Sequence, residues 1–138
     1  MLTRQAKRTL LIISAVIPAA AIAGVVADTI DERTDIRDHA AAITGGDPKR
    51  GEAMFIAYGC GGCHGAKHVR KASGMVGPPM DGIAIRTVLA GRLANNPTNM
   101  QKWIRDPQAV APGTAMPDLN VGERDARDIA AFLYTRAE

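Results

Sequence analysis

Cys60-Gly61-Gly62-Cys63-His64 constrains this chain more than any other stretch. Its two cysteines are the only ones in 138 residues, they stand three apart, and a histidine follows directly. That spacing reads as covalent attachment of a c-type haem, each thiol adding to one vinyl group and His64 coming up under the iron as a ligand. The two glycines let the backbone lie close to the macrocycle with no Cβ in the way. Other readings of CxxC fit less well. A thioredoxin-like pair belongs in a βαβ pattern, which the chain lacks. A closed zinc site needs four ligands, and only His39, His64 and His68 are there to join the cysteines. A short disulfide is the plainest alternative.

A small domain buries a limited core and often needs a staple. A haem held by two thioethers and axial bonds would be that staple and much of the apolar interior. The supply of aromatic side chains is in keeping: Phe55, Tyr58, Trp103, Phe132 and Tyr134 are all there are. The net charge of +3 gives no sign of a nucleic-acid partner.

Three segments follow from charge and hydropathy. Residues 1–27 hold a basic start (Arg4, Lys7, Arg8) and an uncharged run, TLLIISAVIPAAAIAGVVA, from Thr9 to Ala27. Nineteen helical residues span roughly 28 Å, enough for a membrane's hydrocarbon core. The run therefore reads either as a retained membrane helix or as a cleaved signal, with Ala21-Ile22-Ala23 and Val25-Val26-Ala27 offering small residues for cleavage. Both readings put the basic end in the cytoplasm and the remainder on the periplasmic side of a bacterial inner membrane. Residues 28–46 hold five acidic side chains against Arg33 and Arg37 and end in Gly45-Gly46. They read as a spacer, which favours the anchor. Residues 47–138 are the haem domain.

Within that domain, Asp47-Pro48 is an N-cap followed by proline at the first helical position, predicting a helix from Pro48 to about Tyr58 stopped by Gly59. Gly51 and Phe55 share a face of it, Gly51 as a notch for a crossing helix. Asn96-Pro97 starts another helix, with Met100, Trp103 and Ile104 inward, and Asp106-Pro107 stops it. Ala126, Ile129, Ala130 and Leu133 make the buried stripe of a last helix from Glu123 to about Arg136, with Gly122 as a weak N-cap. Residues 65–82 read as loop, and no strand pattern of useful length and no repeat appears. The fold class is all-α, three to four short helices around one haem.

The iron's sixth position has one favoured candidate. Met116 lies in Pro112-Gly113-Thr114-Ala115-Met116-Pro117, a proline-bounded loop suited to holding a side chain at fixed distance. Thioether ligation opposite histidine raises the reduction potential. Met75, Met80 and His68 are the alternatives, while Met54 and Met100 read as core fillers.

With these parts in place, residues 47–138 resemble the class I c-type cytochromes. The resemblance is carried by Gly51 and Phe55, CGGCH, Gly77-Pro78, the PGTAMP loop and the DARDIAAFLY helix. NPTNMQKWIRDPQAVAPGTAMPDL is similar to the small monohaem domains beside, or fused to, respiratory haem-copper oxidase subunits. The resemblance implies a cytochrome c fold with the first and last helices crossing nearly at right angles. It also implies a Pro78 carbonyl that accepts a hydrogen bond from His64, fixing its tautomer, and Arg86 and Trp103 as partners for the haem propionates. The leader, the spacer and Gly122 depart from the pattern.

The function implied is one-electron transfer by a single haem c, with no chemistry on a substrate. Redox proteins are the expected partners, a terminal oxidase or a quinol-oxidising complex among them. Lys67, Arg70 and Lys71 offer a basic rim for an acidic partner face. Permanent membership of a membrane oxidase or dehydrogenase complex is the second reading. A haem enzyme or sensor with an open sixth position is the third, and requires Met116 not to bind.

Overall fold

The computed structural model describes residues 4–137, with the backbone alone over residues 6–15. It divides into two compact units, residues 1–35 and 36–138. The first is helical: α1 covers Arg4–Thr44, continues through Pro18, and reaches into the second unit with its last residues. Among the described residues no helix is long and apolar enough to cross a membrane. The first part of the apolar run falls on residues 9–15, whose side chains lie outside the described ones.

The second unit begins before Asp47. The segment read as a spacer is helical up to Thr44, and within it Ala40 and Thr44 are buried. Gln101 Nε2 donates to the Thr44 carbonyl at 3.2 Å, and Thr44 Oγ1 accepts from Gly46 N. The helix stops at Gly45, which takes the left-handed conformation (φ 70°) open to glycine and donates its N–H to Ala41.

α2 spans Pro48–Ala57, capped as expected by Asp47, whose carboxylate accepts from Lys49 N and Arg50 N. Gly59, left-handed at φ 77°, ends that turn and leads into a 3₁₀ turn at Cys60–Gly62. Strand β1 (His64–Gly65) pairs antiparallel with β2 (Ser73–Met75), and β3 (Val88–Leu89) with β4 (Leu93–Ala94). These strands of two or three residues are too short to leave an alternating pattern in the sequence. α3 spans Pro97–Arg105 under the Asn96 cap. Asp106-Pro107 both ends α3 and begins a further turn, α4 (Pro107–Val110), where Asp106 accepts from Ala109 N at 2.9 Å. α5 spans Glu123–Tyr134, and Gly122 at its N-cap supplies no side-chain bond.

α2 packs on α5 at the core's centre. A Cβ on Gly51 would run into the Asp128 carbonyl and lie 2.9 Å from Phe132 Cβ, so the notch is obligatory. One turn on, the Phe55 and Phe132 rings meet with centroids 5.5 Å apart and planes tilted by 54°. An ionic cluster closes the edge: Arg50 pairs with Asp125 and with buried Asp128, Tyr58 Oη donates to Asp125 at 2.8 Å, and Asp128 accepts from Asp47 N at 2.7 Å. The bond from Tyr58, seconded by Arg50, holds the Asp125 carboxyl below its ordinary range, and the same bond raises the Tyr58 hydroxyl.

Candidate functional site

A cavity of about 400 Å³, within the range of small-molecule sites, opens between α2, α3, α5 and the loops. It gathers the residues expected to hold the haem: Cys60, Cys63, His64, Pro78, Arg86, Trp103 and Met116 all line it. Phe55, Met100, Ile104, Ile129 and Leu133 supply apolar walls from the three helices. The helical stripes thus have two tasks, packing on each other and facing the cavity.

The cysteines are free thiols rather than a disulfide. They flank one 3₁₀ turn, in which Cys63 N donates to the Cys60 carbonyl at 3.1 Å. Burial pushes the Cys60 thiol up, and neighbouring Cys63 adds to the rise against an opposing backbone bond.

His64 is held from the side opposite its free nitrogen. Its Nδ1 is 2.7 Å from the Pro78 carbonyl, and since a carbonyl only accepts, Nδ1 carries a hydrogen, which in the neutral ring puts the lone pair on Nε2. Gly77 lies against the imidazole so closely that a Cβ there would overlap the ring. The Gly77-Pro78 turn is pinned on both sides: Gly77 N donates to Cys63 at 2.9 Å, and Met80 N to Gly65 at 2.8 Å.

Beyond it, Asp81 accepts from Lys67 N and from Arg136, whose Nη2 is 2.5 Å from Oδ1. Burial by itself would raise the Asp81 carboxyl, but Arg136, the Lys67 N–H and their charges outweigh it and hold it below the usual range. Arg136 also donates to the Lys67 carbonyl at 2.6 Å and sits over the Phe132 ring. Arg86 donates through Nη2 to the Pro79 and Asp81 carbonyls at 2.6 and 3.1 Å, so this expected propionate partner is also a brace for the proline turn. Asn95 holds Arg86 in turn, donating to its carbonyl at 2.7 Å and accepting from Tyr134 Oη.

The alternative sixth ligands are sorted by position. Met75 is 93% exposed and is not among the cavity's lining residues. His68 is exposed in a turn with φ 60°. Met80 is buried and lines the cavity, but its backbone is bonded to Gly65, beside His64. Met116 lines the cavity from the separate 112–117 loop.

The cytochrome c family model matches residues 48–137. The chain belongs to the cytochrome c family. Its members carry haem c bound covalently through a CxxCH motif, and the cavity fits that group. Both thiols are free at one turn, an imidazole has an unengaged Nε2, and the walls are apolar. Among curated proteins, this cytochrome is similar to cytochrome c oxidase subunit 2 of Alkalihalophilus pseudofirmus, 35% identical over 61% of this chain and 24% of that one. The same subunit of a Bacillus species is 39% identical over 49% of this chain and 19% of its own, and that of Bacillus subtilis 30% over 64% and 25%. The chain therefore spans about a quarter or less of the length of these relatives. No solved structure matches significantly.

Asp81, Asn95, Gln108 and Arg136 are site residues that sequence reasoning missed. Each works by bonding to backbone groups outside its own turn, and no local spacing announces that. The one available signal was a polar side chain next to a proline, as in Asp106-Pro107-Gln108.

Proposed function

We propose that this chain passes single electrons through one haem c ligated by His64 and Met116, within a terminal-oxidase system on the periplasmic side of a bacterial inner membrane. The observation that carries the reading is the meeting of both thiols, the imidazole with its free Nε2, and the Met116 loop in one apolar cavity. Haem, when bound, supplies the one-electron Fe(III)/Fe(II) couple. The chain's residues do the rest. His64 offers Nε2 in a fixed tautomer, and Met116 offers a soft thioether that favours Fe(II). The helix walls keep water out, which also disfavours the more highly charged ferric form.

Residues 9–27 act as the membrane anchor in this proposal, and the exposed Lys67, Arg70 and Lys71 as the rim that meets an acidic partner. Exposed Met75, at the end of the strand that follows this loop, and Val76 just after it add an apolar contact beside it. Permanent association with an oxidase is favoured over free diffusion because the relatives found carry the matching region inside an oxidase subunit.

A potentiometric titration of the haem-loaded protein should give a single one-electron wave, and the reduced protein should leave carbon monoxide unbound. Stoichiometric carbon monoxide binding would overturn the two-ligand reading. Extraction in mild detergent separates the two modes of work: co-migration with a haem-copper oxidase supports the subunit, and migration alone supports a carrier.

A further inference from the structure

The loop that presents Met116 is held by one side chain. Gln108, on α4, donates from Nε2 to the Thr114 carbonyl at 2.9 Å and to the Met116 carbonyl at 2.8 Å, and its Oε1 accepts from Gly113 N at 3.2 Å. The orientation of the amide is forced, since a flipped group would turn its oxygen toward two carbonyl oxygens. Both N–H groups and one acceptor site are thereby engaged with three residues of a six-residue loop.

Gln108 is itself well rooted. Pro107 before it is among the most fully buried side chains of the molecule, and Asp106 caps the turn through Ala109 N. The loop's own bonds are fewer: Thr114 N donates to Ala111 at 3.0 Å, and Met116 N reaches Thr114 Oγ1 only at 3.4 Å. Gly113 is left-handed at φ 82° and Pro112 and Ala115 are exposed, so little apolar burial holds the segment in place.

We infer that Gln108 is the positioning residue for Met116: it fixes the carbonyls of Thr114 and Met116 so that the thioether stays at the iron in both oxidation states. The inference rests on Met116 being the sixth ligand. Without the clamp the loop gains conformers in which the thioether is withdrawn, and an external ligand then competes more easily.

The test uses the haem-loaded full chain in its ferric form, with imidazole as the probe. Three variants accompany wild type: Met116→Ala, Gln108→Leu and Gln108→Glu. The readouts are the near-infrared methionine-to-iron band and the imidazole dissociation constant. Loss of the band in Met116→Ala establishes the ligand, and its survival there overturns the ligand reading itself. Given that loss, Gln108→Leu should bind imidazole roughly tenfold or more tightly than wild type, since it removes three hydrogen bonds. An unchanged constant would sink the clamp while leaving the ligand standing.

Gln108→Glu guards against a variant that fails to fold. Its carboxylate faces two carbonyl oxygens without a proton to give, so the band should weaken at neutral pH. It should return as acid protonates the new side chain and restores a donor, while wild type over the same range shows no such gain. A pH-independent band of wild-type strength in Gln108→Glu would also overturn the inference.

Discussion

Gly51→Ala is the sharpest test of how the cavity is framed. In an exposed helix, alanine for glycine gains about 1 kcal/mol through backbone entropy. At position 51 the added methyl falls inside contact distance of the Asp128 carbonyl and 2.9 Å from Phe132 Cβ. Carbon atoms pack best at roughly 3.5–4.0 Å. Neither obstacle is the flexible end of a side chain, so α2 and α5 must separate. Overpacking of this kind costs about 1–3 kcal/mol, and rigid backbone on one side argues for the upper end. The net effect is a loss of roughly 2 kcal/mol, or about 8–16 °C in melting temperature for a unit of this size.

The damage should spread beyond stability, because α2 delivers Cys60 to the cavity, and Phe55, Ile129 and Leu133 wall it from the two helices. Thermal melts of the haem-loaded protein, followed by far-ultraviolet dichroism and by the Soret band, measure both effects. A melting temperature equal to or above wild type would refute the close crossing.

Three further outcomes are expected. The depressed Asp81 carboxyl contributes stability that is present above the unfolded value, about pH 4, and is lost as pH falls through its lower folded value. Asp81→Asn should therefore flatten the acid limb of a melting-temperature profile, and an unchanged limb would discount the Arg136 pairing. Reversing charge at Lys67 and Lys71 should slow electron transfer to an acidic partner most at low salt, with the difference fading as the Debye length shrinks. Equal rates at low salt would remove the basic rim from the docking surface. Gly122→Ser should restore a side-chain cap to α5 and raise stability by a few tenths of a kcal/mol, checked by urea denaturation.

Much of this architecture was legible in residues that act locally. Asp47-Pro48, Asn96-Pro97 and Gly122 marked three helix starts, because caps and proline work within one turn. Asp106-Pro107 carried the same signal and was read as a stop alone. It is both, since one aspartate can close α3 and cap α4. CGGCH and PGTAMP were readable because their chemistry lies in the residues themselves. The helicity of residues 28–44 and the burial of Ala40 and Thr44 escaped because alanine and threonine do not announce what packs on them. The Gln108 clamp and the Asp81–Arg136 pair escaped for a related reason: the groups that each joins are brought near only by the folded path.

The burial of Ala40 and Thr44 bears on where this module can be cut. The family match opens at residue 48, and a fragment tailored to it would look complete by sequence likeness. Such a fragment would strip the Thr44 carbonyl from Gln101 and the cover that Gly46 lays against the Arg127 backbone of α5. Gln101 stands one residue from Met100, which walls the cavity. A graft onto another carrier should therefore start no later than Ile36, because the working boundary of the unit lies upstream of its recognisable one.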